Sequence, residues 1–207
     1  MSQTTRAFVG SDRPNGVQQG PVYDFAREAQ LVPVFKALLG FVSKDKARAA
    51  LSQIEIEFHD DDIYLTATDG HALLTVRIGT EHLNREHPVR FTVSAESVRS
   101  FVDSQAHAPL DSDKAAEAFP EVRRVFPWEA SASKGEPLAF GLDPALHKRL
   151  TTAFTTLGLT GSRSSTAVVE CGDALSPVLV SVDDFSGTKL DREVKGVAAI
   201  IMPIRLV

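Results

Sequence analysis

Segments with helical and strand periodicity alternate along this chain, and their order constrains the fold more than any single motif does. Apolar residues recur at helical spacing in 31–42, 94–105 and 143–157. Ser94 and Asp143 are residue types that cap helix N-termini, and Pro144 suits a first helical turn. Apolar and alternating runs between these helices predict strands at 22–25, 54–58, 63–68, 73–78, 89–93, 138–142, 167–171, 178–182 and 198–206.

The order of these segments predicts how the strands pair. Short turns at 59–62 and 172–176 favour antiparallel meanders, and the helices are expected to cover one face of the sheet. Segments 21–80 and 137–207 both follow the order strand, helix, three strands, which indicates an internal structural repeat. We therefore predict an α+β fold, with 106–136 as a long connection rich in Ala, Ser, Pro and charged residues.

Composition and charge limit the function classes. With 207 residues, of which 43% are hydrophobic and 24% charged, the chain can form one sizeable domain or two small ones. The net charge of −5 and the spread of acidic residues leave only a local patch for any contact with DNA. The single cysteine, Cys171, cannot form an internal disulfide and fits a reducing cytoplasm. Residues 1–20 lack the apolar core of a signal peptide and are expected to form a disordered arm of a cytoplasmic protein.

The chain ends on the apolar segment AAIIMPIRLV, which contains Pro203. Proline has no N–H for a strand ladder, so Pro203 is expected at an edge or bend where neighbouring side chains face a partner. The alternative, from these residues alone, is a C-terminal strand that closes the core.

Three segments resemble, in the same order, segments of the bacterial DNA sliding clamp, the beta subunit of the replicative polymerase. They are TATDGHAL (66–73), FPEVRRVFP (119–127) and AAIIMPIRL (198–206). In that family these segments build an apolar groove that captures short peptides from polymerases, clamp loaders and repair proteins. After the arm at 1–20, the resemblance implies a shortened central-domain region at 21–118, a connector at 119–136 and a C-terminal half-domain at 137–207.

The resemblance also implies particular binding residues. The implied groove residues are Thr68, Gly70, His71, Leu73, Pro120, Arg124, Val125, Ile200, Ile201, Met202, Pro203, Ile204, Arg205 and Leu206. Clamp helices line a DNA channel, so the basic residues on or near two of the predicted helices are candidate DNA contacts: Lys36, Lys44, Lys46, Arg48, Lys148 and Arg149. The alternative for these cations is a solvated helix face, because the predicted helices are only mildly basic.

Two features depart from the clamp pattern. Ala72 stands where the family often has a long basic residue, and three helices are predicted where two complete clamp domains need four. Two functions stay open: a processivity factor whose ring needs about three copies, and a reduced clamp that does not encircle DNA and competes for or regulates clamp partners.

The motifs in the sequence do not favour an enzyme. The acidic run at 59–62 falls at a predicted hairpin turn, and GSRSS (161–165) lacks the Gly-Lys core of a phosphate-binding loop. The sequence contains no GxSxG, HExxH or paired CxxC motif. We therefore expect a non-enzymatic protein without a metal or cofactor.

Overall fold

A computed structural model defines the architecture. It describes residues 31–45, 47–59, 62–79, 89–106, 110, 112–115, 119–120, 143–159, 167–170, 177–182, 185, 190 and 194–202. The helices are α1 (Val32–Leu38), α2 (Ala95–Asp103) and α3 (Pro144–Thr156), with a 3₁₀ helix at Ala49–Ser52. The strands are β1 (Gln53–His59), β2 (Asp62–Thr68), β3 (Ala72–Gly79), β4 (Val89–Ser94), β5 (Ser112–Ala115), β6 (Val168–Glu170), β7 (Val178–Val182) and β8 (Val194–Ile201).

The eight strands of the described residues form one antiparallel sheet in the order β5-β4-β1-β2-β3-β8-β7-β6. The β3–β8 pair joins the strands that follow α1 to those that follow α3, with Leu73 opposite Ile200 and Ala72 opposite Ile201. The predicted α+β architecture of antiparallel strands with helices on one face is confirmed. Both repeat units show a helix followed by three strands, although their predicted first strands, 22–25 and 138–142, lie outside the described residues.

The main core lies between this sheet and the helices. Phe35 of α1 and Phe101 of α2 meet edge to face, with ring centroids 5.2 Å apart. Helix α1 also packs against α3, whose Leu150 and Ala153 are buried. Because side chains alternate along a strand, Leu74 and Ile201 enter this core whereas Leu73 and Ile200 face the opposite side of the sheet.

The two predicted N-caps are confirmed. The Ser94 hydroxyl accepts a hydrogen bond from the Ser97 amide at 3.1 Å, and Asp143 Oδ1 accepts one from the Ala145 amide at 2.7 Å. Each bond satisfies a backbone donor that the first helical turn leaves without an internal partner, so α2 and α3 begin where the sequence indicates.

Two predicted boundaries and one predicted connection are wrong. Helix α1 ends at Leu38, and the chain tightens into i→i−3 bonds at Gly40 and Phe41. Strand β8 begins four residues earlier than predicted, at Val194, and runs centrally between β3 and β7. The predicted connection 106–136 contains β5, which pairs with β4.

Several other predictions concern different parts of the chain. The arm 1–20, the turn 172–176, Cys171 and the chain end from Pro203 onward all lie outside the described residues. Within the described ranges, no helix is long and apolar enough to cross a membrane.

Candidate functional site

The floor of the candidate site is an apolar row that crosses the sheet on the face opposite the helices. Strand register places Thr68 beside Leu73, Leu73 beside Ile200, and Ile200 beside Leu179. Phe119 packs against this row, and the four apolar side chains form a cluster separate from the main core. The apolar residues of the row lie on β3, β8 and β7, with Thr68 of β2 at its end, so both repeat units contribute to it.

A cavity of about 190 Å³ lies over this row, and we call it the groove pocket. Its lining residues are Leu51, Thr68, Gly70, His71, Ala72, Leu73, Pro120, Ile200 and Met202. Met202 is 43% exposed, whereas Leu73 and Ile200 are nearly covered. The pocket therefore has a packed floor and one large accessible apolar side chain at its rim.

The turn between β2 and β3, residues 68–72, forms one wall of the groove pocket, and we call it the Asp69 turn. The Thr68 hydroxyl donates to the Ala72 carbonyl at 2.8 Å and accepts from the Gly70 amide at 3.1 Å. Asp69 Oδ1 accepts from the His71 amide at 2.9 Å and from the Ala72 amide at 3.0 Å. The Met202 amide donates to the His71 carbonyl at 3.1 Å, so the end of β8 is tied to the same turn.

Gly70 is required at the tip of this turn. Its φ of +90° lies in the left-handed region that residues with a Cβ atom rarely adopt. A Cβ atom there would lie 3.4 Å from Arg48 Nη1 and 3.7 Å from Leu51 Cδ1. Arg48 and Leu51 therefore flank the tip of the turn.

Asp69 carries the clearest electrostatic feature of the site. Burial alone would raise the pKa of its carboxyl group, but hydrogen bonds from the His71 and Ala72 amides and the Arg149 guanidinium outweigh it and lower that pKa below the ordinary 3.8. Arg149 Nη1 lies 2.7 Å from Asp69 Oδ2. Asp69 is therefore held as a carboxylate that uses both of its oxygen atoms.

Arg149 reaches this carboxylate from α3. Its Nε donates to the Gly40 carbonyl at 3.1 Å, and its guanidinium carbon lies 5.0 Å from the centroid of the Phe41 ring. The arginine thus connects α3, the end of α1 and the Asp69 turn.

The structure brings seven of the predicted groove residues to one pocket: Thr68, Gly70, His71, Leu73, Pro120, Ile200 and Met202. It does not bring Ile201 there. Ile201 has no exposed surface and lies in the main core, because it follows Ile200 on a strand and so faces the opposite side. Its predicted place in the groove is corrected. Arg124, Val125, Pro203, Ile204, Arg205 and Leu206 lie outside the described residues.

Sequence reasoning missed three apolar contributors to the site. Leu51 lines the pocket, while Phe119 and Leu179 pack beneath it. Phe119 could have been predicted, because it lies inside the FPEVRRVFP segment, next to the predicted Pro120. Leu51 and Leu179 carry no local signal, because only the fold brings them to the pocket.

The candidate DNA contacts separate into different environments. Lys36, Lys148 and Arg149 line a second cavity, of about 350 Å³, between α1 and α3. Lys44 is exposed after α1, and Arg48 lies beside the groove pocket, with its Nε 3.8 Å from Asp45 Oδ2. Lys46 lies outside the described residues.

The described residues give no sign of a metal centre, since they contain no group of three or more His, Cys, Asp or Glu side chains that could hold an ion. The predicted turn at 59–62 joins β1 to β2, with His59 paired with Asp62.

Comparison with known proteins gives a fold. No protein-family model matches the sequence, and no curated protein sequence matches it. Among solved structures, the DNA polymerase III subunit beta of Pseudomonas aeruginosa matches with a TM-score of 0.64 and 15% identity, over 94% of this chain and 69% of its own. The Helicobacter pylori beta clamp in complex with diflunisal matches with a TM-score of 0.61 and 11% identity, over 85% of this chain and 64% of its own.

The chain has the fold of a bacterial DNA sliding clamp. The Helicobacter pylori beta clamp has also been solved bound to a DNA ligase peptide, and it matches with a TM-score of 0.61 and 12% identity over 86% of this chain. The chain spans 64% of the length of each of these Helicobacter pylori clamps. Within this clamp fold, the groove pocket lies where the strands after α1 meet the strands after α3.

Proposed function

We propose that this chain tethers replication or repair proteins by binding a short extended peptide in the groove pocket. One observation carries the proposal: the TDGH turn, Pro120, and Ile200 and Met202 at the end of the β8 segment meet at one apolar pocket in a chain with the clamp fold. A Helicobacter pylori protein of the same fold binds a DNA ligase peptide. The proposed activity is binding in the cytoplasm, without a catalytic step.

The size and lining of the pocket suit a peptide side chain. Its volume of about 190 Å³ is below the roughly 300–1,000 Å³ of typical small-molecule sites. Full burial of a Leu or Phe side chain contributes about 1.5–3 kcal/mol. Gly70 allows a peptide backbone to approach closely, and Met202 offers a flexible apolar surface. In the proposal, Arg124, Val125 and residues 203–206 complete the groove, with Arg124 and Arg205 bonding peptide carbonyls at its rim.

The test is the affinity of a fluorescently labelled peptide that contains Gln and Leu/Phe, measured by polarisation. We expect Met202→Ala to weaken binding about three- to tenfold, because it removes the accessible apolar rim. Deletion of residues 204–207 is expected to abolish binding. The matched control is Val169→Ala, an apolar truncation on β6 at a side chain that is 58% exposed. Affinity that is unchanged by both groove variants would overturn the proposal.

The larger assembly has two candidate forms. In the first, the chain is a DNA polymerase processivity factor that closes a ring around duplex DNA, and the convergence of Lys36 and Lys148 on the α1–α3 cavity supports DNA contact. In the second, it is a reduced clamp that competes for or regulates clamp partners. The contacts of Arg149 favour the second form. Its guanidinium bonds Asp69 and Gly40 and lies over the Phe41 ring, so this candidate DNA contact is already engaged within the chain.

We also propose the clamp-like division of the chain. Residues 21–118 correspond to a shortened central-domain region, 119–136 to a connector and 137–207 to a C-terminal half-domain. The β3–β8 pair, which joins the two strand groups, supports this division.

A further inference from the structure

We infer that Arg149 is a positioning residue for peptide binding: it anchors the Asp69 turn and thereby holds one wall of the groove pocket in its binding geometry. The inference rests on the proposed peptide-binding function and deepens it. It also gives Arg149 a role different from the DNA contact that the sequence suggested.

The anchor is built on both sides of the ion pair. On one side, the two oxygens of Asp69 have different partners. Oδ1 accepts hydrogen bonds from the His71 and Ala72 amides, and Oδ2 accepts one from Arg149 Nη1 at 2.7 Å. On the other side, the guanidinium is fixed by the Gly40 carbonyl and the Phe41 ring. A planar guanidinium can make these contacts together, whereas an ammonium cannot.

The position of the pair favours a real contribution to the geometry. The side chains of Arg149 and Asp69 are only 26% and 19% exposed, so water screens their attraction less than it screens a surface pair. The residues are 80 positions apart and lie in different repeat units. The pair therefore ties the helix layer to the groove wall.

The consequence for binding follows from the contents of the turn. Gly70, His71 and Ala72 line the groove pocket, and the His71 carbonyl accepts the Met202 amide. A wall that is already ordered spares an incoming peptide the entropy cost of ordering it. Loss of the anchor should therefore weaken peptide binding even though Arg149 does not line the groove pocket.

Three variants separate the parts of the anchor. Arg149→Met keeps the aliphatic stem and removes the guanidinium. Arg149→Lys keeps the charge and loses the fork. Asp69→Asn keeps an oxygen for the two amides and removes the anionic partner of Arg149. The matched control is Arg99→Met, which removes an exposed arginine from α2.

We expect Arg149→Met and Asp69→Asn each to weaken peptide binding about three- to tenfold. Arg149→Lys should weaken binding less than Arg149→Met but should not bind as well as the original chain. The double variant Asp69→Asn/Arg149→Met should bind no more weakly than either single variant, because both remove one interaction. Arg99→Met should bind like the original chain. Additive losses, or Arg149→Met binding with unchanged affinity, would overturn the inference.

Hydrogen exchange supplies a readout that does not depend on the peptide. In Arg149→Met, the amides of His71 and Ala72 should exchange faster while amides in the centre of β2 stay protected, whereas a general loss of stability would accelerate both groups. If the original chain binds no peptide, the proposed function fails, and the exchange of these two amides still tests the anchor. Unchanged exchange at the His71 and Ala72 amides in Arg149→Met would contradict the proposed anchoring role of Arg149.

Discussion

At the scale of single residues, Asp69 connects the sequence motif to the physical behaviour of the site. The sequence suggested an ordinary turn residue in TDGH, and the structure gives it four hydrogen-bond or ionic contacts if the two amides, Arg149 Nη1 and its own backbone bond to Ala72 are included. The three contacts on the side chain, from the His71 and Ala72 amides and from Arg149, favour the charged carboxylate, which explains the direction of the pKa shift.

This shift makes part of the stability depend on pH. The pKa of Asp69 is lower in the folded chain than its ordinary value of 3.8, so the unfolded chain binds a proton first as the pH falls. The stabilisation is therefore fully present above the ordinary pKa of 3.8, and it is lost as the pH falls through the lower pKa of the folded chain. We expect Asp69→Asn to be less stable than the original chain at pH 6, with a difference in unfolding free energy that shrinks below about pH 4.

Urea unfolding from pH 6 to pH 3 measures this difference. Asp103→Asn, at an exposed position on α2, controls for the removal of one negative charge. A stability difference between the original chain and Asp69→Asn that stays constant across the whole pH range would contradict the prediction.

At the scale of secondary-structure elements, local signals were sufficient for some features and insufficient for others. The caps at Ser94 and Asp143 act within a few residues, so the sequence contains the information that sets the starts of α2 and α3. The sequence SDKA of β5 has no apolar alternation, and its strand forms through pairing with β4. For this reason β5 could not be predicted from its own residues.

The same distinction applies to the candidate site. Gly70, Leu73 and Met202 could be named because they lie in three recognisable segments. Leu179 joins them only because β7 pairs with β8 in one particular register, which places it beside Ile200. The Arg149–Asp69 pair depends on the packing of α3, which no local pattern encodes. The sequence therefore identified the motif residues, including Leu73 and Ile200 of the floor, whereas tertiary structure added Leu179 and the Arg149–Asp69 anchor.

Strand alternation in β3 yields a prediction at this scale. Leu73 faces the groove pocket and Leu74 faces the main core, although they are neighbours. Replacement of either leucine by valine removes one methylene from a buried site and should cost about 1 kcal/mol of unfolding free energy. Only Leu73→Val should weaken peptide binding, because only that change alters the pocket floor.

Thermal or urea unfolding and peptide polarisation, applied to both variants, check this prediction. Each variant serves as the control for the other, since the chemistry of the substitution is the same. Equal loss of peptide affinity in Leu73→Val and Leu74→Val would mean that binding follows general stability and not the face of the sheet.

At the scale of the whole molecule, the sheet separates two surfaces. The helices cover one face, whereas the apolar row beneath the groove pocket lies on the other. In the proposed ring form, the helix layer would contact DNA while the opposite face binds the peptide. The Arg149–Asp69 pair links the helix layer to the groove wall.

The proposed ring form has consequences for the mass of the assembly and for its retention on DNA. The clamp resemblance implies a six-domain ring, and the proposed division gives this 22.4 kDa chain two clamp-like regions, so a closed ring needs about three copies related by rotation. Sedimentation at micromolar concentration should then give about three times the mass of the chain. The protein should also remain on nicked circular DNA in salt that weakens phosphate contacts, and run off the same DNA once it is linearised, because a ring is held by topology.

A monomer that is recovered equally from circular and linear DNA would exclude the ring. Peptide binding by that monomer, with the Met202→Ala loss intact, would identify a reduced clamp that acts on clamp partners away from DNA.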